Sequence, residues 1–180
     1  MCWQTFLPLV RCREGTFPFR QGHLLSTEDI DDYDRKILAI IQLDAELPAS
    51  TIAEEVNLSA SAVQRRIKRL KDLGVIVAMV AVVDGKKVGR PLVFLAAIEV
   101  ERERKDLLGQ LKKWLLGETY VQQAFYTTGA SDLTVVITAK DVEEYDHITQ
   151  MMVEMNPNIK RINTSVCLQL YKRGSVIPTD

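Results

Sequence analysis

A chain of 180 residues can build one large domain or two small ones, each with its own core. Its 47% hydrophobic and 26% charged residues mark a folded chain, and a formal charge of −1 argues against a general polyanion binder, so any nucleic-acid contact must come from a local patch. Three scattered cysteines and two histidines form neither a disulfide framework nor a zinc spacing, and no apolar run approaches the roughly 20 residues of a membrane span.

Residues 1–26 show no sustained period and are broken by Gly15, Pro18 and Gly22. They are expected to be a poorly ordered arm, or the product of a translation start upstream of the native one. The opening stretch "MCWQTFLPLVRCREG" has too short an apolar core for a signal peptide, so a cytoplasmic protein is expected.

From residue 27 a helical pattern begins. "STEDIDDYDRKILAIIQLDAE" spaces Ile30, Tyr33, Ile37, Leu38, Ile40 and Ile41 at near-helical intervals, with acids at the front where the helix dipole favours them. Pro48 closes the connection, and "STIAEEVNLS" predicts a short second helix with Ile52, Ala53 and Val56 inward. "SASAVQRRIKRLKDLG" predicts a third, with Ser59 as N-cap, Val63, Ile67 and Leu70 as its buried stripe, and Gly74 just past its end. Between the second and third helices lies Asn57-Leu58-Ser59. This is a residue tolerant of the left-handed region, an apolar plug and a cap, which is what a helix-turn-helix reversal needs.

The third helix carries a concentrated charge. From Ser59 to Leu73 there are five cations and one acid, net +4; from Ser26 to Asp44 there are two cations and six acids, net −4. A domain polarised in this way can turn its third helix toward a phosphate backbone. Ser59, Ser61, Gln64, Arg65, Arg66, Lys68 and Arg69 are the candidate DNA-binding residues. Gln64 can pair bidentately with adenine and Arg65 with guanine in the major groove, and Ser61 is short enough for a phosphate or base-edge contact.

Residues 75–84, "VIVAMVAVVD", are nearly all β-branched or apolar and predict a strand that could pair edge to edge with a second copy. "GKKVGRP" is turn-rich. The expected organisation is a helix-turn-helix, winged-helix-like domain over 27–84, a hinge over 85–90, and a second domain over 91–180. That second part reads strand, helix, strand, strand, helix, strand, the α+β, ferredoxin-like βαββαβ order. Asp141 with Glu144 outlines a capping box before its second helix, and residues 159–172 are read as the last strand.

The stretches "IDDYDRKILAIIQLDAE", "IAEEVNLSASAVQRRIKRLKDLGVI" and "YTTGASDLTVVITAKDVEEYDHI" resemble the Lrp/AsnC family of transcriptional regulators over about residues 30–172. Asn57 departs from the family's usual glycine. The resemblance implies an effector-responsive regulator of double-stranded DNA, with no cofactor or metal and no enzymatic activity. It also implies a homodimer formed through the sheets that assembles to an octamer or similar ring, with a small molecule, usually an amino acid, bound between domains. The family's Gly-x-x-Asp turn falls on Gly129 and Asp132, and its response positions on Tyr126, Ser165 and Cys167, which together are the candidate effector-binding residues. Asp132 could hold an ammonium group, and amides near Gly129 a carboxylate. The competing expectation from the same architecture is a sirohaem-decarboxylase-like enzyme. The scarcity of histidines and the intact basic helix argue against it. A third, a metabolite-binding module without DNA function, leaves the charged helix unexplained.

Overall fold

Three short helices open the described chain, and the first and third start at side-chain caps. In the computed structural model, residues 30–101, 105–174 and 176–179 are described. The expected arm over 1–26 lies outside them. Helix α1 (Asp32–Ile41) starts at a closed capping box: Asp31 accepts from the Asp34 amide while the Asp34 side chain accepts from the Asp31 amide. Helix α2 (Ala49–Val56) follows Pro48. Helix α3 (Ala60–Asp72) is capped by Ser59, whose hydroxyl accepts from the Ala62 amide at 3.2 Å.

Between α2 and α3, Asn57 adopts φ 55° and ψ 50°, the left-handed conformation expected of this turn. At the far end of α3, Gly74 takes φ 74° and lets the Val75 and Ile76 amides donate back to the Leu70 carbonyl at 2.9 and 3.1 Å. Ile37, Leu38, Ile41, Ile52, Ala53, Val56, Val63 and Leu70 form the core these helices share, with Ile67 packed at its margin.

The described chain divides into two compact units. One is this helical unit, running through Ala81 and taking in the segment from Tyr171 onward; the other spans Val82–Leu170. The assignment of the last segment differs from the sequence expectation, which gave all of 91–180 to the second domain. Its attachment is specific. Ile177 donates its amide to Gln42 Oε1 at 2.7 Å and accepts from Gln42 Nε2 at 3.0 Å. The Thr179 hydroxyl donates to the Arg35 carbonyl at 3.2 Å, and Arg35 Nη1 donates to the Thr179 carbonyl at 3.4 Å. Arg35 and Gln42 lie seven residues apart, on one face of α1 or its last turn.

Residues 75–84 were expected to form a strand, yet no strand is found there among the described residues. A β conformation is held by ladder bonds to a neighbour, and composition alone supplies none. Val77, Val80, Val82 and Val83 are exposed as a result. The expected hinge is ordered: Gly85–Val88 forms a 3-10 turn capped by Asp84, and the Arg90 amide donates to the Gly85 carbonyl at 2.7 Å.

The second unit holds strands β1 (Leu92–Val100), β2 (Val121–Tyr126), β3 (Leu133–Ala139) and β4 (Ile159–Val166), with helices α4 (Lys105–Gly117) and α5 (Val142–Met155). The sheet is antiparallel in the order β2-β3-β1-β4, so the chain order βαββαβ is met. Alternation is clean on β3, where Leu133, Val135, Ile137 and Ala139 are buried. With Phe94, Ala96, Ile98, Leu111, Leu115, Tyr145, Ile148 and Met152 they make the core under the two helices.

The other face carries Leu95 and Phe125, both about half exposed, with Val93, Ala97 and Val136. Strand β4 ends at Val166, short of the expected 172, because the chain beyond Cys167 leaves β1 for the helical unit. Asp141 caps α5 by accepting from the Glu144 amide at 2.7 Å, but the box does not close as expected. The Glu144 carboxylate instead accepts from the Lys140 amide at 2.8 Å and holds Arg90 in a two-point ion pair at 2.7 and 3.2 Å.

Candidate DNA-binding and effector sites

Helix α3 buries Val63 and Leu70 completely, and this fixes which of its side chains face outward. Ser61, Gln64, Arg65, Lys68 and Lys71 lie on the exposed side, with Ser59 at the head of the helix. Ser59 already serves as the cap, and its hydroxyl lies 3.1 Å from that of Ser61. The outward group combines an amide, a guanidinium and two ammonium groups on one helical face. It can approach phosphates and base edges together.

Arg66 and Arg69, counted with the DNA-binding residues from the sequence, are instead paired with the acids at the start of α1, Arg66 mostly covered and Arg69 with about half of its side chain exposed. Arg66 Nη1 donates to Asp31 Oδ2 at 2.8 Å and to Asp34 Oδ1 at 2.9 Å, and its guanidinium carbon sits 5.4 Å from the centre of the Tyr33 ring. Arg69 Nη1 donates to Asp34 Oδ2 at 2.9 Å. Asp34 is fully buried. Hydrogen bonds to Asp34 and Asp31 hold the Arg66 guanidinium above its ordinary range. Burial pushes the Asp31 carboxyl up, but the Asp34 amide and Arg66 outweigh it and the net shift is downward. This network escaped the sequence reading, although a signal for it was present: two acids three apart on α1 match two arginines three apart on α3.

The expected effector residues occupy two separate places. Gly129 (φ 127°) and Asp132 form the β2–β3 turn, and Tyr126 ends β2 beside them. Asp132 Oδ2 accepts from the Val100 amide at 2.7 Å, and the Asp132 amide donates to the Ile98 carbonyl at 2.9 Å, so this residue prolongs the β1–β3 ladder. Ser165 on β4 lies opposite Leu95, and just past the end of that edge strand the Cys167 amide donates to the Val93 carbonyl at 2.8 Å. Tyr126 on β2 and Ser165 on β4 are three strand spacings apart, about 14 Å at ~4.8 Å each, whereas Asp132 reaches β1 at Val100, five residues along that strand from the Leu95 that faces Ser165. By register, Tyr126 shares the helix-covered face with Leu133, while Ser165 shares the open face with Leu95. One protomer therefore does not bring the two groups around one small ligand.

The sequence reading also missed a groove of about 590 Å³ between α5 and β4, lined by Asp146, Thr149, Gln150, Lys160 and Arg161. At its floor the Tyr145 hydroxyl meets the Thr164 hydroxyl at 2.6 Å. Burial raises the Tyr145 phenol above its ordinary value, in part offset by that bond. Among the described residues, no helix is long and apolar enough to cross a membrane.

A capped helix-turn-helix with an outward polar and basic face, followed by a βαββαβ unit, defines a DNA-binding regulator with a separate sensing domain. Comparison with known proteins agrees. Residues 30–77 match the winged helix-turn-helix DNA-binding family, and residues 93–177 match the Lrp/AsnC ligand binding domain. The HTH-type transcriptional regulator y4tD of Sinorhizobium fredii is 36% identical over 152 residues, spanning 84% of this chain and 90% of that one. The DNA-binding transcriptional activator DecR of Escherichia coli is 25% identical over 151 residues, spanning 84% and 99%. Among solved structures, an AsnC family regulator from Agrobacterium tumefaciens superposes with a TM-score of 0.77 at 25% identity, covering 83% of this chain and 97% of that one. A transcriptional regulator of Neisseria meningitidis, solved as its L-Met complex, shares the fold with a TM-score of 0.77 at 23% identity, covering 83% and 96%. The chain belongs to the Lrp/AsnC family of transcriptional regulators. It is a DNA-binding transcriptional regulator with a small-molecule-binding domain.

Proposed function

We propose that α3 enters the major groove of duplex DNA, with Ser61, Gln64, Arg65 and Lys68 reading or gripping it and Ser59 near a phosphate. The observation that carries this reading is the exposure of these residues on the side of α3 opposite buried Val63 and Leu70. The chain acts as a homodimer or a larger ring. The half-exposed apolar face of the sheet around Leu95 and Phe125, and the apolar run 75–82, which joins no strand among the described residues, supply self-complementary surfaces for it. Two α3 helices then meet successive major grooves.

The effector is a free amino acid, a reading supported by the methionine complex of the Neisseria relative. Tyr126, Gly129 and Asp132 of one protomer, and Ser165 and Cys167 of another, form its site. The separation of these groups within one chain favours a site shared between copies. The protein works in the cytoplasm and catalyses no reaction; its relatives carry regulator names.

A gel shift on the promoter region upstream of its own gene tests the DNA reading. Arg65→Ala and Lys68→Ala are expected to weaken the shift with the fold intact, and unchanged binding would refute the orientation of α3. A thermal-shift screen of the proteinogenic amino acids tests the effector reading. A ligand at 100 times its dissociation constant adds about 2.7 kcal/mol, and a flat screen would refute an amino-acid effector.

A further inference from the structure

The five cations of α3 divide into two groups that do different work. Arg65, Lys68 and Lys71 face outward, whereas Arg66 and Arg69 bind the acids of α1. Both oxygens of Asp34 are taken by these two arginines, in a carboxylate with no exposure to water. Asp31 accepts from the same Arg66 Nη1 that donates to Asp34, while also capping α1.

We propose that Asp31 and Asp34 determine the DNA specificity of this protein, by withdrawing Arg66 and Arg69 from the phosphate backbone and fixing the rotation of α3 about its axis. The proposal rests on the DNA-binding reading above and goes beyond it by naming residues that touch no DNA. The physical reason lies in how the two kinds of affinity arise. A guanidinium on a phosphate releases counterions from every sequence alike, so it strengthens non-specific binding as much as specific binding. Discrimination comes from base-edge contacts such as those open to Gln64 and Arg65, and these need the helix held at one angle. Two arginines locked to a buried carboxylate thus remove sequence-blind attraction and supply positional precision together.

The test measures affinity as a function of salt, by fluorescence anisotropy, for two probes. One is a duplex selected from a random pool by the wild-type protein, and the other is the unselected pool. Asp34→Asn keeps the side-chain shape and removes the charge. It is expected to bind the unselected pool more tightly and to steepen its log–log salt slope by about 0.9 for each arginine released, equal to about 3.5-fold in affinity between 200 and 50 mM salt. Its preference for the selected duplex falls. Arg69→Gln, which can still donate to Asp34, leaves the unselected-pool slope unchanged, whereas Arg65→Ala lowers it by about 0.9. A merely structural role for Asp34 would weaken both probes and move no slope.

Asp31→Asn, at an exposed position where asparagine caps equally well, repeats the measurement should Asp34→Asn fail to fold. A fall in slope for Arg69→Gln matching that of Arg65→Ala overturns the proposal, as does an unchanged slope in the folded aspartate variants. Failure of the DNA-binding reading itself looks different: the wild-type protein then shows no salt-dependent binding to either probe.

Discussion

The turn that launches α3 rests on one residue in the left-handed region, and its energetics can be worked out. Asn57 sits at φ 55°, ψ 50°, and the Leu58 amide beside it donates to the Ala53 carbonyl at 3.0 Å to close the end of α2. An ordinary L-residue loses about 1–2 kcal/mol in that conformation. Asparagine is the best tolerated exception, and glycine carries no steric cost but loses more chain entropy on folding, by about 0.5–1 kcal/mol. Stability should therefore be similar with asparagine or glycine at this position and lower with alanine. Asn57→Ala should lose about 1 kcal/mol, and Asn57→Gly should lie within about 0.5 kcal/mol of wild type. In a helical unit of this size, a loss of about 1 kcal/mol moves the melting midpoint by about 4–8 °C. Far-ultraviolet circular dichroism reads the melt, because the regular structure among the described residues of this unit is helix. A protein with Asn57→Ala that melts with the wild type would refute the argument that backbone strain at this turn governs the placement of α3.

Three other outcomes follow from the sheet unit. Gly85→Ala would set its Cβ 2.6 Å from the Arg90 carbonyl oxygen, so the 3-10 turn must open, at a cost of about 1–3 kcal/mol measurable by urea titration. Leu111→Ala, at a side chain 1% exposed beneath the sheet, should destabilise by about 2–5 kcal/mol in the same assay. Acid should weaken the fold. Burial raises the Glu144 carboxyl, but the Lys140 amide and Arg90 outweigh it and hold it below its ordinary value near 4.5. The unfolded chain then takes up the proton first as pH falls. The contribution is complete above about pH 5 and disappears as pH drops through the folded-state value, so Glu144→Gln should flatten stability against pH in that acid range.

Local chemistry made much of the fold readable. The caps at Ser59 and Asp141, the left-handed Asn57, the stripe Val63, Ile67 and Leu70, and the alternation of β3 each depend on residues a few positions apart. What failed depends on distant partners. Residues 75–84 had the composition of a strand, but strand formation needs a neighbouring edge, and no ladder in the described chain includes them. Glu144 was free to close its box until the fold delivered Arg90 to it, 54 positions away in sequence. Arg66 and Arg69, on the flanks of α3, were counted among the DNA-binding residues because a helical wheel knows nothing of α1. The effector residues were matched by motif, which says nothing about how far apart the fold sets them.

The return of residues 176–179 to α1 makes the helical unit discontinuous in sequence. A fragment cut at Ala81 would therefore lack part of its own wall, and the amide of Gln42 would be left facing water in place of the Ile177 backbone. Dissection of this protein into halves calls for the terminal segment to be supplied as a peptide or spliced on through a short linker. Recovery of helical stability on adding it would measure how much that closing strip contributes.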